Sequence, residues 1–244
     1  MRQTVAGPPY PPAIERVRNL EDAEPLPGSL WKQIHADPTR APEHIALASS
    51  EHFAPSAERW VARMRSHHGP AELARLARTH HVRLARFEGA ALGLGGAVTF
   101  VPDLAALAWI QCRMVYFVGA AFGFDPRHPM RPAELLALQD LYPTPAEARA
   151  ALDGLGTRIA LQYVASKRGR DQQLAKRLFQ FVGRRLARRA FRRVIPILSA
   201  PLAAVQNAGV TASLGDRAIL YYGGRQAHLP TEAPALPAGE EAAS

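Results

Sequence analysis

Between Gly89 and Phe124 the chain carries only two charges, Asp103 and Arg113. This stretch constrains the fold more than any other, because so long an apolar run must be covered by the rest of the chain or by lipid. It is interrupted at "GLGGAVTFVPD" (93–103), where Gly93, Gly95 and Gly96 let two helices approach closely and turn sharply. Pro102 and Asp103 then open a return helix, the carboxylate near its positive N-terminal end. Leu104, Leu107, Gln111, Met114, Val115, Val118 and Phe122 recur along one stripe of that helix. The expectation is a helical hairpin over 89–124, with Asp103 and Arg113 marking a polar seam and able to pair across it.

Two other readings of the glycines fare worse. A phosphate-cradling loop needs Lys and then Ser or Thr after the last glycine, but Ala97 and Val98 follow Gly96. A spanning pair wants about 18 uncharged residues per helix. The longest uncharged run, Gly89–Pro102, has 14, and each charge at the centre of a span costs about 2.5–3.5 kcal/mol on insertion scales. Shallow insertion fits this pattern better than a full span.

The rest of the chain also reads as helix, and the fold class is all-α. No run of alternating β-branched residues occurs, and no Asn-Gly or Asp-Gly hairpin signal. Residues 1–30 and 225–244 are Pro-rich and without apolar periodicity, so they read as disordered tails. Residues 31–69 are weakly patterned, with Trp60, Val61 and Met64 on one face. From Pro70, at a first helical position, Leu73, Leu76, Ala77, Leu84 and Ala91 line one side of a helix, and Arg75, Arg78, Arg83 and Arg86 lie on the other. Two short helices follow, "RPAELLALQDLY" and "TPAEARAALDGLG", the second with a Thr144–Glu147 capping box and Pro145 at its start. A last helix ends at Gly223. A weak internal repeat pairs Pro102, Leu104 and Gln111 with Pro196, Leu198 and Gln206, and Phe122-Gly123 with Tyr222-Gly223; two unrelated Ala/Leu-rich stretches would look the same.

The net charge of +9 is local. Residues 158–193 hold twelve Lys and Arg against one acid, Asp171, which exceeds the charge of the whole chain. Within it, "RRLARRAFRRVIP" places Arg184, Arg185, Arg188, Arg189, Arg192 and Arg193 on one half of a helix, opposite Leu186, Ala187, Ala190, Phe191 and Val194. The preceding Leu174, Leu178, Phe181 and Val182 point elsewhere, so a bend is expected near Gly183. Such a stripe is most often a solvated face, but six arginines with no acid to pair them suit an anionic membrane surface. Nucleic acid would use the same charges. It is the weaker reading, because few aromatic residues interleave with the basic cluster.

Chemistry has less support. A single cysteine, Cys112, excludes an intrachain disulfide and a cysteine metal cluster, and its apolar helix marks it as an inert buried thiol. The nine histidines form no His-x3-His or His-Glu-x-x-His pattern, and Ser49-Ser50 is in no nucleophile elbow. No catalytic residue, cofactor or metal site is expected, and the one cysteine and the absence of an apolar signal core suggest a cytoplasmic protein.

The stretch "HVRLARFEGAALGLGGAVTFVPDLAALAWIQCRMVYFVGAAFGF" and the helices after it resemble the EcsC family, bacterial proteins named after a gene beside an ABC transporter. Ala85, Arg86, Gly89, Gly93, Gly95, Gly96, Thr99, Pro102, Asp103, Gln111, Met114, Glu134 and Leu135 carry the likeness, with "LGDRAILYYGG" as the closing helix. It covers about residues 70–224 and implies an all-helical, membrane-associated protein with no transferable activity. The expectation is a non-enzymatic protein peripheral to the inner face of the cell membrane. It would bind anionic lipid through the six arginines and the apolar hairpin. The rival is a soluble interaction module that binds a protein such as a transporter subunit, or nucleic acid, with the hairpin as ordinary core.

Overall fold

A computed structural model describes residues 26–92, 100–155, 173–182 and 200–226, with side chains over 26–86, 104–155, 173–182 and 207–225. Every described element is helical: α1 (Gly28–Ala36), a 3-10 turn (Pro38–Arg40), α2 (Ala41–Met64), α3 (Pro70–Leu92), α4 (Phe100–Ala121), α5 (Arg131–Leu138), α6 (Pro145–Asp153), α7 (173–182) and α8 (Ala200–Gln226). The all-α expectation holds.

The hairpin's return helix, α4, is the axis of the molecule. Helices α2, α3 and α8 pack around it, and α3 and α8 also lie lengthwise against each other. The sequence pattern suggests one apolar stripe, but the structure buries α4 all round. Trp109, Ile110, Cys112, Tyr116, Phe117 and Ala120, off that stripe, are at most 6% exposed. With almost no charge in this helix, no side of it gains by facing water.

Ring contacts give the helix directions. Phe53 meets Trp109 with centroids 4.5 Å apart, and Trp60 meets Phe117 at 5.3 Å, so α2 runs parallel to α4. Gly119 lies against Tyr222 and Gly223 against Phe122, so α8 runs parallel to α4 as well. The hairpin partner α3 is antiparallel to both. The two aromatic-glycine pairs of the proposed repeat are thus in contact, while Pro196 and Leu198 lie outside the described residues.

The termini of the helices explain the turns. Helix α4 ends in a Schellman motif: Phe124 N–H donates to Gly119 O (3.1 Å) and Gly123 N–H to Ala120 O (2.9 Å), with Gly123 at φ +86°. The same pattern ends α5, where Leu141 N–H reaches Leu136 O (3.1 Å) and Asp140 takes the left-handed conformation at φ 58°. Thr144 Oγ1 accepts from Glu147 N–H at 3.2 Å, as the capping box requires.

Some boundaries and faces differ from expectation. Helix α4 starts at Phe100, two residues before Pro102; proline is tolerated there because the first turn's N–H groups have no intrahelical acceptor. Helix α8 runs on through Gly223 to Gln226. Leu76, expected on the apolar face of α3, is 38% exposed, because Leu73, Ala74, Ala77, His81 and Ala85 define a buried face turned away from it. The weakly patterned 31–69 region is not a separate unit. Its Ile34, Ile45, Phe53 and Trp60 belong to the same core cluster as α4 and α8, as does Leu30 from the stretch expected to be disordered, and Tyr142 O–H donates to Glu43 at 2.5 Å to close it over α5.

A Cβ at Gly215 would lie 2.7 Å from Arg78 Cγ and 3.1 Å from Met114 Sδ, whereas one at Gly209 meets nothing within 4 Å. Gly215→Leu is therefore expected to destabilise by about 1–3 kcal/mol through overpacking. Gly209→Ala is expected to stabilise by up to about 1 kcal/mol through helix propensity. Thermal melts of the two variants check both signs.

Candidate functional site

The strongest concentration of buried polar chemistry lies where α4, α5 and α8 meet. Glu134 on α5 is 3% exposed. Its Oε2 accepts from an Arg131 guanidinium N–H and from Tyr222 O–H (3.0 Å), and its Oε1 from Arg225 Nη1 (3.2 Å). Arg131, itself 9% exposed, lies over Phe124 and Tyr222, with its guanidinium carbon 5.1 and 5.6 Å from their centroids. Burial, then the adjacent Glu134 charge, push the Tyr222 hydroxyl well above its ordinary pKa, so it remains a donor.

One carboxylate therefore holds two cations and a phenol, joining α5 to the end of α8. The cleft above it, lined by Val115, Tyr116, Gly119, Pro126, Arg131 and Tyr222, is too narrow for a water molecule. This geometry is that of a clamp. A reaction centre would need room for a substrate.

A second polar chain crosses the bundle. Gln139 Nε2 donates to Gln111 Oε1 (3.1 Å), and Gln111 Nε2 donates to Thr211 Oγ1 (3.3 Å). All three residues are at most 4% exposed. Gln111, on the stripe read along the return helix, ties α4 to the end of α5 and to α8. Arg217 of α8 donates from Nε (3.1 Å) and Nη2 (2.9 Å) to Leu138 O, satisfying an orphan carbonyl at the α5 C-terminus.

The expected polar seam takes a different form. Asp103 and Arg113 share the single helix α4, ten residues and roughly 15 Å apart, so they do not pair across a bend. Arg113 is 6% exposed, with its guanidinium carbon 5.3 Å from the Phe117 centroid. Pro102 and Asp103 lie in the first turn of α4, with side chains outside the described set. Gly93, Gly95 and Gly96, and Arg184, Arg185, Arg188, Arg189, Arg192 and Arg193, fall outside the described residues, as does the expected bend at Gly183. Leu174, Leu178, Phe181 and Val182 of α7 are buried as their spacing suggests.

Sequence reasoning passed over the Glu134 clamp. Its signals were present: Glu134 three residues after Arg131, and an aromatic pair before Arg225. Their partnership depends on a separation of about ninety residues that no local pattern reveals. Cys112 is fully buried, and burial pushes its thiol pKa up, so it is not held as a thiolate. Among the described residues no three His, Cys, Asp or Glu side chains converge as a metal site.

His81 is fully buried beside Phe117, at 5.5 Å between centroids. Its Nδ1 lies 2.7 Å from Ala77 O, the geometry of a donating N–H. Burial first, then the charges of His80 and Arg113, drive its pKa well below the ordinary 6.5. As pH falls beneath 6.5 the unfolded chain takes up a proton that the folded imidazole refuses. Stability then drops by up to about 1.4 kcal/mol per pH unit. His81→Phe should remove one proton's worth of that slope in melting curves taken between about pH 7 and pH 5.

For the clamp, Glu134→Gln should destabilise by about 3–5 kcal/mol, because Arg131 is left buried without its counter-ion. Tyr222→Phe should cost about 1 kcal/mol, and adding Arg131→Met to Glu134→Gln should recover part of the loss. Urea unfolding of the single and double variants measures all three.

No curated protein and no solved structure matches the chain. Residues 70–226, from the first residue of α3 to the last of α8, match the EcsC protein family. With nearly two thirds of its length in that match, the chain belongs to the EcsC protein family.

Proposed function

We propose that this protein is a non-enzymatic helical protein that docks on the cytoplasmic face of the cell membrane, where Arg184, Arg185, Arg188, Arg189, Arg192 and Arg193 contact anionic lipid. The carrying observation is the sequence of that segment: basic pairs every fourth residue, apolar residues opposite, and no acid among them. Near an anionic leaflet each arginine contributes about 1 kcal/mol at low salt.

Docking rather than spanning is supported by the placement of α4. Among the described residues one helix is long and apolar enough to cross a membrane, Leu104–Ala121, with a mean hydropathy of 1.5, and 94% of it is buried inside the protein. Exposing it to lipid would mean removing α2, α3 and α8 from its sides. In this reading any shallow insertion falls to residues 89–103, ahead of the buried part of α4.

The same burial favours a second reading, a soluble module that binds a protein, such as a transporter subunit, or nucleic acid. Co-sedimentation with neutral and anionic liposomes across a salt series separates the two. The membrane reading expects salt-sensitive binding to anionic vesicles alone, lost when the six arginines become Gln. If neither vesicle type brings the protein down, the membrane reading fails and the soluble module replaces it.

A further inference from the structure

Helix α3 is amphipathic in a way that its role as a core hairpin helix does not require. Arg75, Leu76, Thr79, Arg83 and Arg86 fall within about 100° of its circumference, and all but Thr79 are charged or apolar and exposed. Leu73, Ala74, Ala77, His81 and Ala85, on the opposite side, are buried. Arg78, at the edge of the outward face, is neutralised by Asp216 of α8, with an Nη2–H···Oδ2 hydrogen bond of 2.8 Å and Nε 2.7 Å from Oδ1. Glu72 also lies on this face, exposed, with its Oε1 2.8 Å from His68 Nδ1. Arg75, Arg83 and Arg86 make no ion pair with any described residue. Among the described residues the outward face therefore presents three arginines outside any ion pair, spread over about 17 Å of helix, against the single carboxylate of Glu72.

Exposed apolar side chains share this surface. Leu76 is 38% exposed, and Leu220, one helical turn beyond Asp216 on the outer edge of α8, is 76% exposed. Because α3 and α8 lie lengthwise together, with the Arg78–Asp216 pair at their junction, the two helices form one outer layer on the far side from α2. Guanidinium groups interspersed with exposed leucines match the boundary between phosphate headgroups and acyl chains. A nucleic-acid backbone would be served by the arginines but would leave both leucines in water.

We infer that the outward face of the α3–α8 pair is a second anionic-lipid contact, with Arg75, Arg83 and Arg86 on headgroup phosphates and Leu76 and Leu220 entering the interface. This rests on the membrane reading proposed above and adds to it a folded surface on α3 and α8, separate from residues 184–193.

The test uses the full chain with phosphatidylcholine vesicles, with or without phosphatidylglycerol. Arg75→Gln, Arg83→Gln and Arg86→Gln together should weaken low-salt binding to the anionic vesicles by about tenfold or more, with no change in melting temperature because all three side chains are exposed. A polarity-sensitive fluorophore on Thr79→Cys should shift to the blue on these vesicles. The same label on Glu51→Cys of α2, on another side of the bundle, should not shift. If the triple variant binds as the wild type does while the variant of residues 184–193 loses binding, this surface is not a lipid contact and the broader reading stands. If the wild type binds no vesicle, both fail together. A triple variant that keeps vesicle binding but loses binding to duplex DNA would overturn the inference in favour of nucleic acid.

Discussion

The whole arrangement depends on the need to enclose α4. A helix with almost no charge over Leu104–Ala121 has no side that gains by facing water, so it is stable only when surrounded. Helices α2, α3 and α8 provide that enclosure, with Phe53 on Trp109, Trp60 on Phe117 and Tyr222 on Gly119. Aromatic side chains bury large areas each, and glycines at the α4–α8 crossing let the backbones close on them. The N-terminal helices belong to this enclosure although the family match begins only at Pro70. Without α2, one side of α4 would be bare.

Enclosure by apolar contact alone would leave sliding and rotation weakly opposed, and the buried polar groups supply direction. Glu134 gathers Arg131, Tyr222 and Arg225; Gln111 joins Gln139 and Thr211; Arg217 caps the end of α5. Except for the Arg131–Glu134 pair within α5, each of these links crosses between helices. A shift of one helix against another would leave buried donors and acceptors unpaired, which costs more than the bonds contribute when made. Their common effect is to hold α8 in register with α4 and α5. That register sets which residues of α3 and α8 face outward.

The membrane reading and the core reading of the hairpin compete for the same apolar residues, and α4 settles only its own share. Its side chains are committed to the interior, so under the membrane reading lipid contact falls to other surfaces. Residues 184–193 carry charge densely. The outer layer of α3 and α8 carries it more sparsely, on a rigid scaffold with leucines among the arginines.

Much of this was legible in the sequence because it depends on local pattern. Helical class and the Pro70 and Thr144–Pro145 starts follow from spacing and cap chemistry over a few residues, and the family likeness from particular residues between Ala85 and Leu135. The apolar run announced a buried or lipid-covered helix, but periodicity could not choose between those covers, since protein and lipid interiors are equally apolar. Nor could it foresee that Leu76 faces outward or that Gln111 braces three helices. Those outcomes were decided by how α3 packs on α4 and α8 and by the parallel course of α4 and α8. They bring together residues such as Gln111 and Thr211, 100 positions apart, and such pairing is a property of the assembled bundle rather than of any segment in it.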